Sequence, residues 1–149
     1  MPQTLVLELH LKTIFFASIW SNNLNPAVVD INLRELIAII LAVSTFKKLW
    51  TRRKYILFTD NTACVANIKR GYASDPLANE IIRNLYKQQI VFSFAIRVEH
   101  ITSAQNINAD MLSRAQYVQF RNLNPQMIYL TPVVPSYLSH LVDLPPTFT

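Results

Sequence analysis

The segment from Val91 to Arg114 constrains the fold more than any other. Val91 to Val98 is a largely apolar run that reads as a strand, Glu99 to Asn106 is a polar loop, and a short helix follows with Asp110 in its first turn. A carboxylate at that place is held firmly and can point back at a sheet edge. Two more acids stand in informative settings. Asp60 ends the apolar strand Tyr55–Thr59, and Glu35 lies in the first turns of a long apolar helix. A strand-end acid and two helix acids, drawn together from distant parts of a chain, make the pattern of a metal site.

The other segments supply the frame for those acids. Thr4 to Leu11 alternates with period two, Lys12–Thr13 can turn it, and Ile14 to Trp20 reads as a second, more buried strand of an antiparallel hairpin. Ser21 to Pro26 is an Asn-rich loop. Asp30 or Asn32 can cap the next helix, which runs to about Trp50; Glu35 stands three residues after Asn32, so its local reading is a capping-box acid. Tyr55 to Thr59 has no polar position before Thr59, which predicts a central strand covered on both faces. Asp60 after it reads either as a functional acid at the sheet's carboxyl edge or as an N-cap of the helix Thr62–Arg70. Gly71 to Asp75 turns the chain, Pro76 opens a helix that ends near Gln88–Gln89, and Ile90 to Val98 is the next interior parallel strand.

The length of 149 residues fits one domain, placed at residues 1–121, with a Pro-rich apolar tail or linker at 122–149. With 51% hydrophobic and 15% charged residues there is ample material for a core. The net charge of +5 favours a polyanionic partner. The basic residues Lys47, Lys48, Arg52, Arg53, Lys54, Lys69, Arg70, Arg83 and Lys87 read equally as a nucleic-acid track and as solvated helix ends. The single cysteine, Cys64, excludes an internal disulfide framework and points to a reducing compartment. No signal-peptide pattern is present, and the longest apolar run, Leu36 to Val43, is far too short to span a bilayer. An intracellular chain, cytoplasmic or nuclear, with no membrane contact is therefore expected. One glycine in the whole chain leaves its turns to Asn, Asp, Ser and Pro.

Three stretches carry a likeness to a known family. Ile14-Phe15-Phe16-Ala17-Ser18, followed by Asn32-Leu33-Arg34-Glu35-Leu36-Ile37-Ala38-Ile39, resembles the retroelement pattern of an "AYAS" strand and an "EL.AI" helix. Thr59-Asp60-Asn61 is similar to the "TDN" of DIRS-type retrotransposons and hepadnavirus-like polymerases. Glu99-His100, through Asn106, to Ala109-Asp110-Met111-Leu112-Ser113-Arg114 resembles the "EH.PG..N..AD.LSR" signature, without a gap. Residues 5–114 thus resemble the ribonuclease H domain of a retroelement reverse transcriptase. The element order, strand-strand-helix-strand-helix-helix-strand-helix, is that of the family after its first strand.

The resemblance implies an α/β, ribonuclease H-like mixed sheet flanked by helices and N-terminally truncated. It implies hydrolysis of RNA in RNA–DNA hybrids with two Mg²⁺ (or Mn²⁺) ions about 4 Å apart clamping the scissile phosphate. Glu35, Asp60 and Asp110 would be metal ligands, since hard cations take oxygen donors. His100 matches the "EH" and would act as a general acid or in product release, unless it is simply a loop-edge histidine. Asn106 would shape the loop. The implied partners are hybrid or other nucleic acid and a reverse transcriptase domain of the same polyprotein. The family's first metal-binding Asp has no counterpart, so three of four carboxylates are found; Glu8 could replace it only from mid-strand in a different strand. The loop's Pro-Gly is replaced by Thr102-Ser103. An impaired nuclease is thus expected, with a non-catalytic scaffold for a reverse transcriptase as the alternative and a small binding module with three capping acids as a third reading.

Overall fold

A computed structural model describes residues 3–9, 12–20, 30–114, 116–129 and 131–143. The fold is mixed α/β. In chain order it consists of β1 (Gln3–Leu9), β2 (Lys12–Trp20), α1 (Ile31–Phe46), β3 (Lys54–Thr59), α2 (Thr62–Arg70), α3 (Pro76–Phe92), β4 (Ala95–His100), α4 (Ile107–Ser113), α5 (Tyr117–Leu123), β5 (Ile128–Tyr129) and β6 (Val142–Asp143). Among the described residues no helix is long and apolar enough to cross a membrane.

Among the described residues the strands form two sheets. β1 and β2 pair antiparallel, with Leu9 opposite Lys12 and Gln3 opposite Ser18. Lys12 and Thr13 are paired in β2 and do not form the turn expected there; residues 10–11 and the expected loop at 21–26 lie outside the described residues. The far edge of β2 takes β5, parallel at Ile14 and Phe15, and β6, antiparallel at Ile19 and Trp20. Among the described residues the second sheet consists of β3 and β4, parallel, with Tyr55 opposite Ile96 and Thr59 opposite His100.

Helix α1 is the spine of the core. From Leu36 to Ser44 every residue is buried, so the helix has no free apolar face to spare. Around it pack Leu57 and Val98 from the β3–β4 pair, Cys64, Val65 and Ile68 from α2, and Ile81, Ile82 and Leu85 from α3. Trp50 lies fully buried beyond the helix end, stacked on Phe46 at 5.7 Å and on Tyr55 at 4.7 Å, with the Phe94 ring edge-on at 5.6 Å. α1 itself ends at Phe46, not Trp50; Leu49 N–H bonds to the Phe46 carbonyl at 2.8 Å as the chain tightens into a turn. Part of the Pro-rich tail is folded onto this core: Leu138, Leu141 and Val142 belong to it, and Val133 N–H donates to Thr45 Oγ1 at 2.9 Å.

The strand predicted from Ile90 to Val98 is helix up to Phe92 and strand only from Ala95, so that Glu99 and His100 lie inside β4 rather than in the loop. Ile90 and Val91 are exposed, so their apolarity marks no core position. The helix stops where Ser93 turns left-handed at φ 54° and its N–H bonds to the Gln89 carbonyl. Nor is β3 covered on both faces. Tyr55, Leu57 and Thr59 face the core, while Lys54, Ile56 and Phe58 face outward and are exposed.

Candidate functional site

The carboxyl ends of β3 and β4 gather most of the polar residues singled out in the sequence. Asp30 is the cap of α1, accepting from Leu33 N–H at 2.8 Å. That removes Glu35 from capping-box spacing and leaves its side chain for another contact. Glu35 reaches β3, where Thr59 Oγ1 donates to its Oε2 at 3.3 Å. Thr59 is buried, and its Oγ1 also accepts from Asn61 N–H at 3.2 Å. The Glu35 charge also lies close enough to Cys64 to raise that thiol's pKa, after burial, to about 12.

Asp60, next along the chain, is exposed, and Ser103 Oγ donates to its Oδ2 at 3.0 Å. Ser103 stands in the loop after β4, which is held to the strand end by Ile101 N–H on the Thr59 carbonyl at 3.0 Å. Asp60 is not the cap of α2. That role falls to Asn61, whose Oδ1 accepts from Cys64 N–H at 2.8 Å while its Nδ2 donates to Asn32 Oδ1 at 2.8 Å. The Asn32–Asn61 bond ties the start of α1 to the end of β3. His100, the last residue of β4, lies opposite Thr59 in the register and is exposed.

Asp110 has a different setting. It lies on α4, a helix that packs against β1, and its carboxylate pairs with Arg114 Nε one turn on, at 3.1 Å. Both side chains are at least half exposed, so this ion pair contributes little to stability. The Asn106 carbonyl accepts from Asp110 N–H at 3.0 Å, the first main-chain bond of α4. Glu8 lies opposite Thr13 in the β1–β2 ladder.

Thus Glu35 reaches the end of β3 through Thr59, and Asp60, the next residue, is held by Ser103, with His100 opposite Thr59 in the register. Among the described residues, no three acidic, histidine or cysteine side chains come together to hold a metal ion. Glu35 and Asp60 are the carboxylates at this strand end that could serve as oxygen donors to a hard divalent ion, which is held by one or two carboxylates with the rest of its shell from water and phosphate. Thr59, Asn61 and Ser103 were not foreseen as site residues. Thr59 and Asn61 were already in the quoted Thr59-Asp60-Asn61, and Ser103 stands where the family's Pro-Gly is missing; its hydroxyl is what binds Asp60. Compared with protein-family models, with curated proteins and with solved structures, the chain matches none.

Proposed function

We propose that the chain is a ribonuclease H-like domain of a retroelement polymerase, acting on RNA–DNA hybrid beside a reverse transcriptase domain in an intracellular setting, with an incomplete acid site. The observation that carries the reading is the contact of Glu35 with Thr59 next to Asp60, which unites two of the three sequence stretches that carry the likeness. The order of elements from β1 to α4 supports it as well. A polyanion has a surface to meet: Lys69, Arg70, Arg83 and Lys87 are exposed on α2 and α3, and the Arg70 guanidinium lies over the Tyr72 ring at 4.5 Å. Glu35 and Asp60 would hold a Mg²⁺ or Mn²⁺ ion, which would polarise a phosphate oxygen and lower the pKa of bound water. Thr59 orients Glu35, Ser103 orients Asp60, and His100 is placed to exchange a proton at the strand end. With no counterpart to the family's first metal-binding Asp, cleavage is impaired. Recognition of hybrid rests on backbone shape and 2′-hydroxyls, without a base code.

The test is cleavage of an end-labelled RNA–DNA hybrid in Mg²⁺ or Mn²⁺, with Asp60→Asn as control. Slow cleavage that Asp60→Asn abolishes supports the nuclease, and so does cleavage gained when an upstream strand bearing an Asp is fused to the chain. A second reading, the non-catalytic scaffold, is favoured by the missing first strand and the apolar tail, part of which folds onto the core. It wins if hybrid is bound, remains uncut under both conditions, and Asp60→Asn changes nothing.

A further inference from the structure

Lys47, Lys48, Arg52, Arg53 and Lys54 fall close together in the chain, and no acid stands between Glu35 and Asp60 to balance them. The fold gathers them at the end of the β3–β4 pair opposite to Asp60, where α1 and α3 both finish. Two helix C-termini together carry about one negative charge. Lys47 is placed to meet it: its Nζ donates to Gln88 Oε1 at 3.3 Å and lies 4.6 Å from the centre of the Phe92 ring. Lys48, Arg52, Arg53 and Lys54 are left over. All of them are exposed, and among the described residues none of them forms an ion pair. The turn that carries them is fixed. Trp50 at its centre is fully buried. Arg53 N–H bonds to the Trp50 carbonyl at 3.0 Å, Ala95 N–H to the Arg53 carbonyl at 3.0 Å, and Arg52 N–H to the Ser93 carbonyl at 2.6 Å. Arg52 has left-handed backbone at φ 62°. A glycine would take that φ freely, so the arginine side chain is kept there against its backbone preference.

Taking the nucleic-acid partner from the reading above, we propose that the turn at residues 48–54 is a second contact for it, holding phosphodiester backbone at the end of the strands away from the acid site. Guanidinium groups meet phosphate oxygens two at a time, and the lysine ammoniums add point charges. The turn is already ordered, so little conformational freedom is lost when it binds. Lys54 and Thr59 open and close one strand and lie about 17 Å apart. The phosphates met at the turn are therefore not the one met at Asp60, and holding them needs neither metal nor the acids. The other exposed cations, Lys69, Arg70, Arg83 and Lys87, lie on α2 and α3. A polymer of phosphates can follow both sets, whereas a lipid surface meets one face at a time.

Fluorescence anisotropy of an end-labelled RNA–DNA hybrid with the full chain in EDTA reads binding without cleavage. The logarithm of the affinity falls with the logarithm of salt concentration by about 0.9 for each phosphate neutralised on a duplex. Lys48→Gln, Arg52→Gln, Arg53→Gln and Lys54→Gln together should flatten that slope by about 3. Arg52→Gly keeps the turn and relieves its backbone, so it should raise the melting temperature and still take about 1 from the slope, which Arg52→Lys gives back. An arginine with only a structural role would lose nothing on becoming glycine. Arg97→Gln removes as much net charge as Arg52→Gly, but Arg97 is already paired with Glu99 at 2.7 Å, so the slope should stay unchanged. Hybrid binding by the native chain with a slope that the combined variant leaves alone, or that Arg97→Gln lowers as much as Arg52→Gly, overturns the proposal while the nucleic-acid reading stands. A combined variant that loses binding only to vesicles containing phosphatidylserine overturns it in favour of a membrane contact. No hybrid binding by the native chain at low salt overturns both.

Discussion

Cys64 lies in the first turn of α2, buried against α1 and close to Glu35. Burial first, and the neighbouring carboxylate second, push its thiol pKa from 9.0 to about 12. The folded protein therefore holds this proton more tightly than the unfolded chain. Stability from the neutral thiol is complete below pH 9 and is lost as the pH climbs from 9 towards 12. Tyr137, raised from 10.0 to about 12 by burial and then by Glu80, has the same sign in the upper part of that window. Urea unfolding at pH 8 and pH 10.5 is expected to show a clear alkaline loss. Cys64→Ala should reduce the loss between the two pH values, whatever it costs at pH 8. An unchanged pH slope would mean that the thiol is not held neutral by the fold. The same residue shows why no cysteine chemistry belongs to the site: a thiol that stays protonated at neutral pH is a poor nucleophile and a poor metal ligand.

At the scale of elements, helix starts were legible and helix ends less so. Asp75 before Pro76 caps α3 by accepting from Ala78 N–H at 2.8 Å, and an Asp followed by Pro says this in the sequence. Gly71, the chain's one glycine, ends α2 with φ 85°, again as a lone glycine after a helical pattern announces. Ser93 performs the same job for α3 at φ 54° without any such signal, and the apolar Ile90 and Val91 before it imitate a strand. The two stops should respond oppositely. Gly71→Ala meets only the Tyr86 ring, at 3.9 Å, so its cost is conformational, about 1 kcal/mol. Ser93→Gly removes strain and should stabilise by about 0.5–1 kcal/mol. Thermal melts of both variants check the pair. Equal or same-sign shifts would show that the left-handed backbone at Ser93 is not what limits the helix.

At the scale of the molecule, the sequence could announce Glu35 and Asp60 as acids but not the contact between Glu35 and Thr59, which depends on how α1 lies on β3. The tail was least legible, because its Pro residues and lack of period conceal which side chains enter the core. Leu138 is fully buried within the main cluster, held there by a 3₁₀ turn at Ser136–Leu138, whereas Val133 is half exposed five residues earlier. A linker would make the two positions equivalent. In this fold Leu138→Ala opens a cavity in the same core as α1 and should cost about 3 kcal/mol, while Val133→Ala should stay within about 0.5 kcal/mol. The distinction also reaches β6, since Val142 pairs with Trp20 four residues after Leu138. Loosening the turn should release the edge of β2 together with the tail. Hydrogen exchange on Leu138→Ala would then show faster amide exchange in β2 near Ile19 and Trp20, but not at Ile81 and Ile82 of α3. If protection fell evenly across the chain, the tail and the α1 core would be a single cooperative unit and the local release would be wrong.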